Sequence, residues 1–297
     1  MRNIIAKRKI FYFISGFSIL ASIFALVSWG LKPGIDFLGG TLWEFRFSQE
    51  IEKFKIEEVL KNNLGGEIIV QESTDAVFTI RTKELDEPTH QQLIQQIKTI
   101  DSSFNELRFE TIGPTVGKTL QRKSFQAIVL AVFAISLYIT YAFRKASHPV
   151  SSWKYGLATI FTLFHDLIIP LGVFAYLGRF KNVEIDTNFV VAMLVIMGFS
   201  VHDTIVVFDR IREKLKTLGG KNFIELVNLG LNETLVRSIN TSLTAILALL
   251  ALYLWGSYTL KWFILAMIIG IATGTYSSIA VASPIIVELW QFQQKRR

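Results

Sequence analysis

Two His-Asp dipeptides and one arginine carry most of the chemistry this sequence could perform. His165-Asp166 and His202-Asp203 each lie inside a long apolar stretch, and Arg237 opens another. A charged side chain at the centre of a bilayer costs at least about 2.5 kcal/mol on insertion scales, so such residues mark ion or substrate paths unless a partner absorbs them. Asp203 lies within its stretch, beyond Gly198-Phe199-Ser200, and reads as a proton or ion carrier. Arg237 stands at a similar depth. It either meets Asp203 across a helix pair or snorkels to lipid phosphates. Asp166 has two readings, an ion-path residue or a packing residue hydrogen-bonded to a neighbouring Ser or Thr. Pro170 follows it by one turn, frees a backbone carbonyl and predicts a kink.

Other chemistries fit less well. The two His-Asp pairs invite a zinc site, but adjacent helix residues point about 100° apart, so neither pair readily serves one metal. Asp166 and Asp203 superficially resemble the two acids of an intramembrane aspartyl protease. The Gly-x-Gly-Asp such an enzyme needs is absent, since the chain reads Gly198-Phe-Ser-Val-His-Asp203. A neighbouring Arg237 also opposes a shared-proton dyad. Gly113-Pro-Thr-Val-Gly117-Lys118-Thr119 resembles a phosphate-binding loop but has three residues between its glycines where four are needed. It reads as a turn. With no cysteine in the chain, disulfides, thiolate metal sites and cysteine nucleophiles are excluded.

The elements that must position these residues are membrane spans. Of 297 residues, 51% are hydrophobic and only 19% charged, and the mean hydropathy is +0.41. The net charge of +7 flanks apolar runs and forms no basic face of the kind a nucleic acid would need. A helix needs about 20 apolar residues to cross a bilayer. Six stretches qualify, at 10–31, 124–143, 155–178, 187–208, 238–260 and 262–287. Basic residues gather at Arg2, Lys7, Arg8 and Lys9, at Arg144, Lys145 and Lys154, at 210–237, and at Lys295, Arg296 and Arg297. All these segments fall on one side, which predicts cytoplasmic N- and C-termini. The first stretch is too long for a signal peptide and lacks a cleavage site, so it reads as a retained anchor. Asp209, Arg212 and Glu213 form a charged helix face, and 222–231 reads as a short amphipathic helix on the inner surface. Gly270-x-x-x-Gly274 permits close helix packing and names no partner.

The sequence thus divides into an N-terminus and first span at 1–31, an extracytoplasmic domain at 32–120, and five spans with a basic tail at 121–297. Within the domain, period-2 and period-3.6 patterns predict strands at 41–47, 67–71, 77–82 and 107–112, a turn at 73–75, and helices at 55–64 and 89–100. The order β-α-β-β-α-β is the split-βαβ, ferredoxin-like arrangement. Its two helices cover one sheet face, so the other must be polar or find a partner.

Four segments resemble a known family. They are Gly34-Ile-Asp36-Phe-Leu-Gly39-Gly40-Thr41, Phe164-His-Asp166-Leu-Ile-Ile, Ser200-Val-His-Asp203-Thr-Ile-Val-Val-Phe-Asp-Arg-Ile-Arg-Glu213 and Asn232-Glu-Thr-Leu-Val-Arg237-Ser-Ile-Asn-Thr-Ser242. Together they are similar to the SecD/SecF family of the RND superfamily, and the small outer domain favours its SecF branch. That resemblance implies a bacterial inner-membrane subunit, not an enzyme, that pairs with SecD in a pseudo-symmetric twelve-span unit. It implies work with the SecYEG channel (SecY, SecE, SecG) on translocating preproteins, driven by the proton or sodium motive force. Beyond that ion no cofactor is implied, and the contacts are with membrane lipids and not nucleic acid. It places Asp203 and Arg237 in the coupling site, with an Asp from SecD. Leu38 stands where Thr is common in the family, Pro170 where a small polar residue is expected, and His202 where Asn is common. His202 is therefore a candidate for tuning the carrier or the choice of ion. A small-molecule exporter of the same superfamily is the rival reading, but it lacks support from any second large outer loop or repeated half.

Overall fold

A computed structural model describes residues 3–65, 68–73, 76–144, 150–219 and 222–295. Arg2, Lys145, Lys221, Arg296 and Arg297, together with most of the turn expected at 73–75 and the start of the strand expected at 67–71, lie outside the described residues. The chain folds as two compact units, Pro33–Ser124 and Met1–Lys32 with Phe125–Arg297.

Helix α1 (Arg8–Trp29) belongs to the larger unit, and the short helix α2 (Ile35–Leu38) opens the smaller one. Then come β1 (Gly40–Arg46), α3 (Lys53–Asn63), β2 (Ile69–Ser73), β3 (Val77–Thr82), α4 (Glu87–Ile100) and β4 (Asn105–Ile112). The four strands form one sheet in the order β2-β3-β1-β4, and every neighbouring pair is antiparallel. Alternation along β1 puts Trp43 and Phe45 on one face and Leu42 and Glu44 on the other, though all four are buried. Trp43 and Phe45, with Phe47 beyond the strand, are buried against Ile56 and Leu60 of α3 and Leu93 and Ile97 of α4. Asp86 caps α4 by accepting a 3.2 Å bond from the Thr89 amide, with Pro88 in the first turn.

The opposite sheet face is polar. Glu44 lies directly across from Arg108, Arg81 donates to Gln71 at 2.9 Å, and Arg108 donates to Glu110 at 2.6 Å. Glu44 is only 7% exposed. Burial raises its carboxyl above the usual range, and the Arg108 and Arg81 charges pull against that shift.

The glycine-rich segment has a steric reason. Gly39 and Gly40 adopt φ of 79° and 117°, where a side chain is strained. A Cβ on Gly39 would also stand 2.7 Å from the Pro114 backbone. Gly113–Thr119, expected as a turn, is instead mostly helix: Pro114 opens α5 (Pro114–Ala142), a favoured position for proline. A Cβ on Gly117 would likewise stand 3.0 Å from the Gly39 amide nitrogen and the Phe37 carbonyl oxygen.

The larger unit holds α1, the remainder of α5, α6 (Ser152–Lys181), α7 (Thr187–Thr217), α8 (Phe223–Trp255), α9 (Lys261–Ser277) and α10 (Ser283–Lys295). A π-helical segment, Ser278–Ala282, joins the last two. Six helical stretches among the described residues are long and apolar enough to cross a membrane. This is a mostly helical, multi-pass architecture. The separate surface helix expected at 222–231 is the opening of α8. Asn222 caps it through the Ile224 amide, and no proline interrupts it before Trp255. Phe223, Leu226, Val227 and Leu231 are buried, which holds these turns against the bundle. Helix α6 continues through Pro170.

Small residues let these helices approach. A Cβ on Gly172 of α6 would collide with Ser22 of α1, and one on Gly270 of α9 with Ile196 of α7. Gly274 lies one turn further along, against Ser200. The Gly270-x-x-x-Gly274 stripe therefore seats α9 on α7. At one end of the bundle Asn228 accepts from the Ile4 amide at 2.8 Å, Arg8 pairs with Glu288 at 2.7 Å, and Lys214 pairs with Glu233 at 2.8 Å. Arg212 pairs with Asp209 at 3.6 Å.

Candidate functional site

The polar residues of the bundle interior gather where α6, α7, α8 and α9 meet. Asp166 of α6 is fully buried and has three side-chain partners. His165 Nδ1 lies 2.8 Å from Oδ1. Ser277 Oγ, at the end of α9, donates to Oδ2 at 2.7 Å, and Ser200 Oγ of α7 donates to the same oxygen. Pro170 lacks the amide that would bond the Asp166 carbonyl four residues back, so that carbonyl loses its usual helix partner. The π segment starts at Ser278, one residue past Ser277. Such segments carry an extra residue in the turn and shift the register of side chains beyond them.

Asp203 is 3% exposed. The Thr275 hydroxyl of α9 and the Ser238 hydroxyl of α8 lie beside its carboxylate. Even so, Asp203 Oδ2 and Ser238 Oγ complete no hydrogen bond. Thr275 Oγ1 is 2.5 Å from Ser242 Oγ, which donates to the Ser238 carbonyl. The Asp203 carboxylate is thus buried among hydroxyls with one oxygen unsatisfied, a costly arrangement in a low-dielectric interior.

Of the two readings of Arg237, the ion pair with Asp203 is not formed within this chain. Arg237 is exposed, and its charge reaches Asp203 only as a weak long-range attraction. The reason is rotational: α8 turns Ser238 inward, which carries Arg237 about 100° round the helix. His202 is likewise exposed while Asp203 beside it is buried. Arg237, Asn240, Thr241 and Thr244 are all exposed at i, i+3, i+4 and i+7, so α8 presents one polar face along an apolar span.

Asp166 and Asp203 share no hydrogen bond, and each has its own hydroxyl partners. Sequence reasoning found both acids but not Ser200, Ser238, Thr275 and Ser277. Their signal was visible in part, since hydroxyl residues are scarce neighbours worth pairing with a buried acid. Which of the many Ser and Thr would serve depended on helix rotation. Gly34, Asp36, Gly39 and Gly40 belong to the smaller unit, where they shape the entry to β1.

Comparison with known proteins bears on the whole chain. The family described as "Protein export membrane protein SecD/SecF, C-terminal" matches residues 92–291. A protein translocase subunit SecF from Thermobaculum terrenum is 42% identical, over 98% of this chain and 94% of that protein. A SecF from Sebaldella termitidis is 33% identical, over 98% and 93%. The crystal structure of SecDF from Thermus thermophilus, a translocon-associated membrane protein, superposes with a TM-score of 0.82 at 31% identity. The match covers 100% of this chain and 39% of that longer one.

Proposed function

The chain belongs to the SecD/SecF family of protein-export membrane proteins, and from that premise we propose that it couples ion flow through Asp203 to the late steps of Sec-dependent export. It is a multi-pass membrane protein with a role in protein export. The observation that carries the proposal is Asp203 itself, buried in a membrane span with Oδ2 unsatisfied. An acid so placed binds a proton or sodium ion readily, because neutralisation removes a buried charge. One charge moved through 100 mV supplies about 2.3 kcal/mol. Shifting helices seated on glycine contacts needs a few such increments.

In this reading the partner is SecD. The exposed polar face of α8, with Arg237, is costly against lipid and suits a second helical subunit that brings a carboxylate to Arg237. Arg237 then serves at the subunit boundary, and His202, exposed on α7, tunes the ion site from there. The pair acts with SecYEG in the bacterial inner membrane, the basic segments keep both termini cytoplasmic, and no cofactor beyond H+ or Na+ is required. The unit Pro33–Ser124 is a ferredoxin-like extracytoplasmic domain that handles the emerging preprotein. The β2-β3-β1-β4 order and two helices packed on one face support that assignment.

The test is export of a reporter in cells lacking SecD and SecF, supplied with SecD and either the intact chain or Asp203→Asn, with insertion of each verified. Rescue by the intact chain alone supports the coupling role. Equal rescue by both makes Asp203 structural.

A further inference from the structure

We propose that the first turns of α5 form a binding surface for an anionic phospholipid, with Lys118, Arg122 and Lys123 set at the level of the lipid headgroups. The proposal rests on α5 being a membrane span and is independent of ion coupling at Asp203. All three side chains are exposed, and among the described residues none of them has an ion pair or a hydrogen bond. No Asp or Glu occurs between Glu110 and Asp166 in the chain, so α5 itself carries no counter-charge. Glu84 stands beside Gly113, ahead of the first helical turn.

The rotation of α5 turns these cations away from the protein. Gly117 abuts the backbone of Phe37 and Gly39, and Ile128 and Ala131, on the same side of the helix, pack on the bundle core. Lys118 and Arg122 lie on the opposite side. With Thr115, Thr119 and Gln126 they form an exposed polar stripe at i, i+3, i+4, i+7 and i+11, and Lys123 borders it. The Thr119 hydroxyl is engaged by its own helix, donating to the Thr115 carbonyl at 2.9 Å.

The register of the span sets their depth. The run 125–142 carries no charge. At 1.5 Å per residue it is about 27 Å long, close to the roughly 30 Å of a hydrocarbon core. Phe125, Leu130 and Phe133 expose their apolar side chains along it. Arg144, 3.7 Å over the Tyr141 ring, marks the far interface. Lys123, Arg122 and Lys118 then stand about 3, 5 and 10 Å beyond Phe125, in and just above a headgroup layer about 5–8 Å deep. Lys118, the farthest, reaches back into that layer along its flexible stem.

Phosphate is the anion a membrane presents at this depth. Arg122 can take two phosphate oxygens through its planar fork, and the lysines act as point charges. A zwitterionic lipid brings an ammonium along with its phosphate, whereas an anionic lipid leaves net negative charge for three cations to meet. In the orientation proposed above the cluster lies on the outer side, so the flanking-charge rule that orients spans does not account for it.

The experiment measures which lipid neighbours the stripe. The chain has no cysteine, so Gln126→Cys takes a single fluorophore one turn inward from Arg122. The full chain is reconstituted in mixed bilayers with and without SecD. Quenching by phosphatidylglycerol bearing a nitroxide near the top of its acyl chain is compared with quenching by the matching phosphatidylcholine at equal mole fraction. The expected result is about fivefold enrichment of phosphatidylglycerol at the label, retained with SecD present. The enrichment should vanish in Lys118→Gln/Arg122→Gln/Lys123→Gln, with insertion verified, and persist in Lys118→Arg/Lys123→Arg. A label at Val27→Cys, exposed on α1, should give the same ratio in the intact chain and the triple glutamine variant. Equal quenching by the two lipids in the intact chain overturns the proposal, as does enrichment that survives removal of the three charges. Enrichment lost on adding SecD also overturns it, and assigns the stripe to a protein contact.

Discussion

Replacing Gly274 by alanine should loosen the bundle where Asp166 is held. A Cβ there would stand 3.0 Å from Ser200 Cβ and 3.3 Å from its Cα. Ser200 is 1% exposed, and its Cα belongs to α7, so it cannot swing aside. The helices must part by a few tenths of an ångström, and overpacking of this kind costs about 1–3 kcal/mol. The Ser200 hydroxyl also weakens its bond to Asp166, a partial loss of the roughly 0.5–1.5 kcal/mol an ordinary hydrogen bond contributes. Against this, alanine gains about 0.5–1 kcal/mol over glycine in a helix. The weakened bond and the helix gain roughly offset each other, which leaves a net loss of about 1–3 kcal/mol from overpacking. Gly198→Ala is the control, since a Cβ there meets nothing within 4 Å. It should be neutral or stabilising by up to about 1 kcal/mol. Both variants would be unfolded by SDS titration in mixed micelles, followed by tryptophan fluorescence. Equal midpoints for the two would refute the reasoning, because it rests on Ser200 being immovable.

Two further perturbations address the smaller unit. Its Glu44 carboxyl is raised by burial, so the folded chain holds that proton more tightly than the unfolded chain. The associated stability is present at low pH and is lost as pH rises from about 4.5 through the folded value. Hydrogen exchange in β1 should therefore quicken over that window beyond the intrinsic rate, and Glu44→Gln should flatten the dependence; an unchanged profile in the variant would clear Glu44 of the effect. Ile97 is fully buried in the core between α4 and the sheet. Ile97→Ala should cost about 2–5 kcal/mol, read as faster proteolysis within Pro33–Ser124, and unaltered protease resistance would contradict it.

Much of this protein follows from local pattern. The apolar runs and their flanking charges determined six spans, because a bilayer demands an uninterrupted apolar helix and tolerates few exceptions. Period-2 and period-3.6 alternation marked the strands and helices of the smaller unit, where Trp43, Phe45, Leu93 and Ile97 all turn to one core. Cost alone made Asp166 and Asp203 conspicuous. The boundaries read less well. The fifth span begins with the helix at Phe223, since the amphipathic turns there pack on the bundle and continue into the membrane.

Only the tertiary structure decided who meets whom. Sequence reasoning left Arg237 either meeting Asp203 or snorkelling, and the fold offers Asp203 the hydroxyls of Ser238 and Thr275 while Arg237 faces out. Asp166 proved the better-satisfied acid, bound by Ser200 and Ser277 from two other helices. Such pairings depend on the rotation and depth of each helix, which are set by contacts such as Gly270 on Ile196 and Gly274 on Ser200. Those contacts join residues some 75 positions apart in the chain, a scale on which hydrophobic period carries no information.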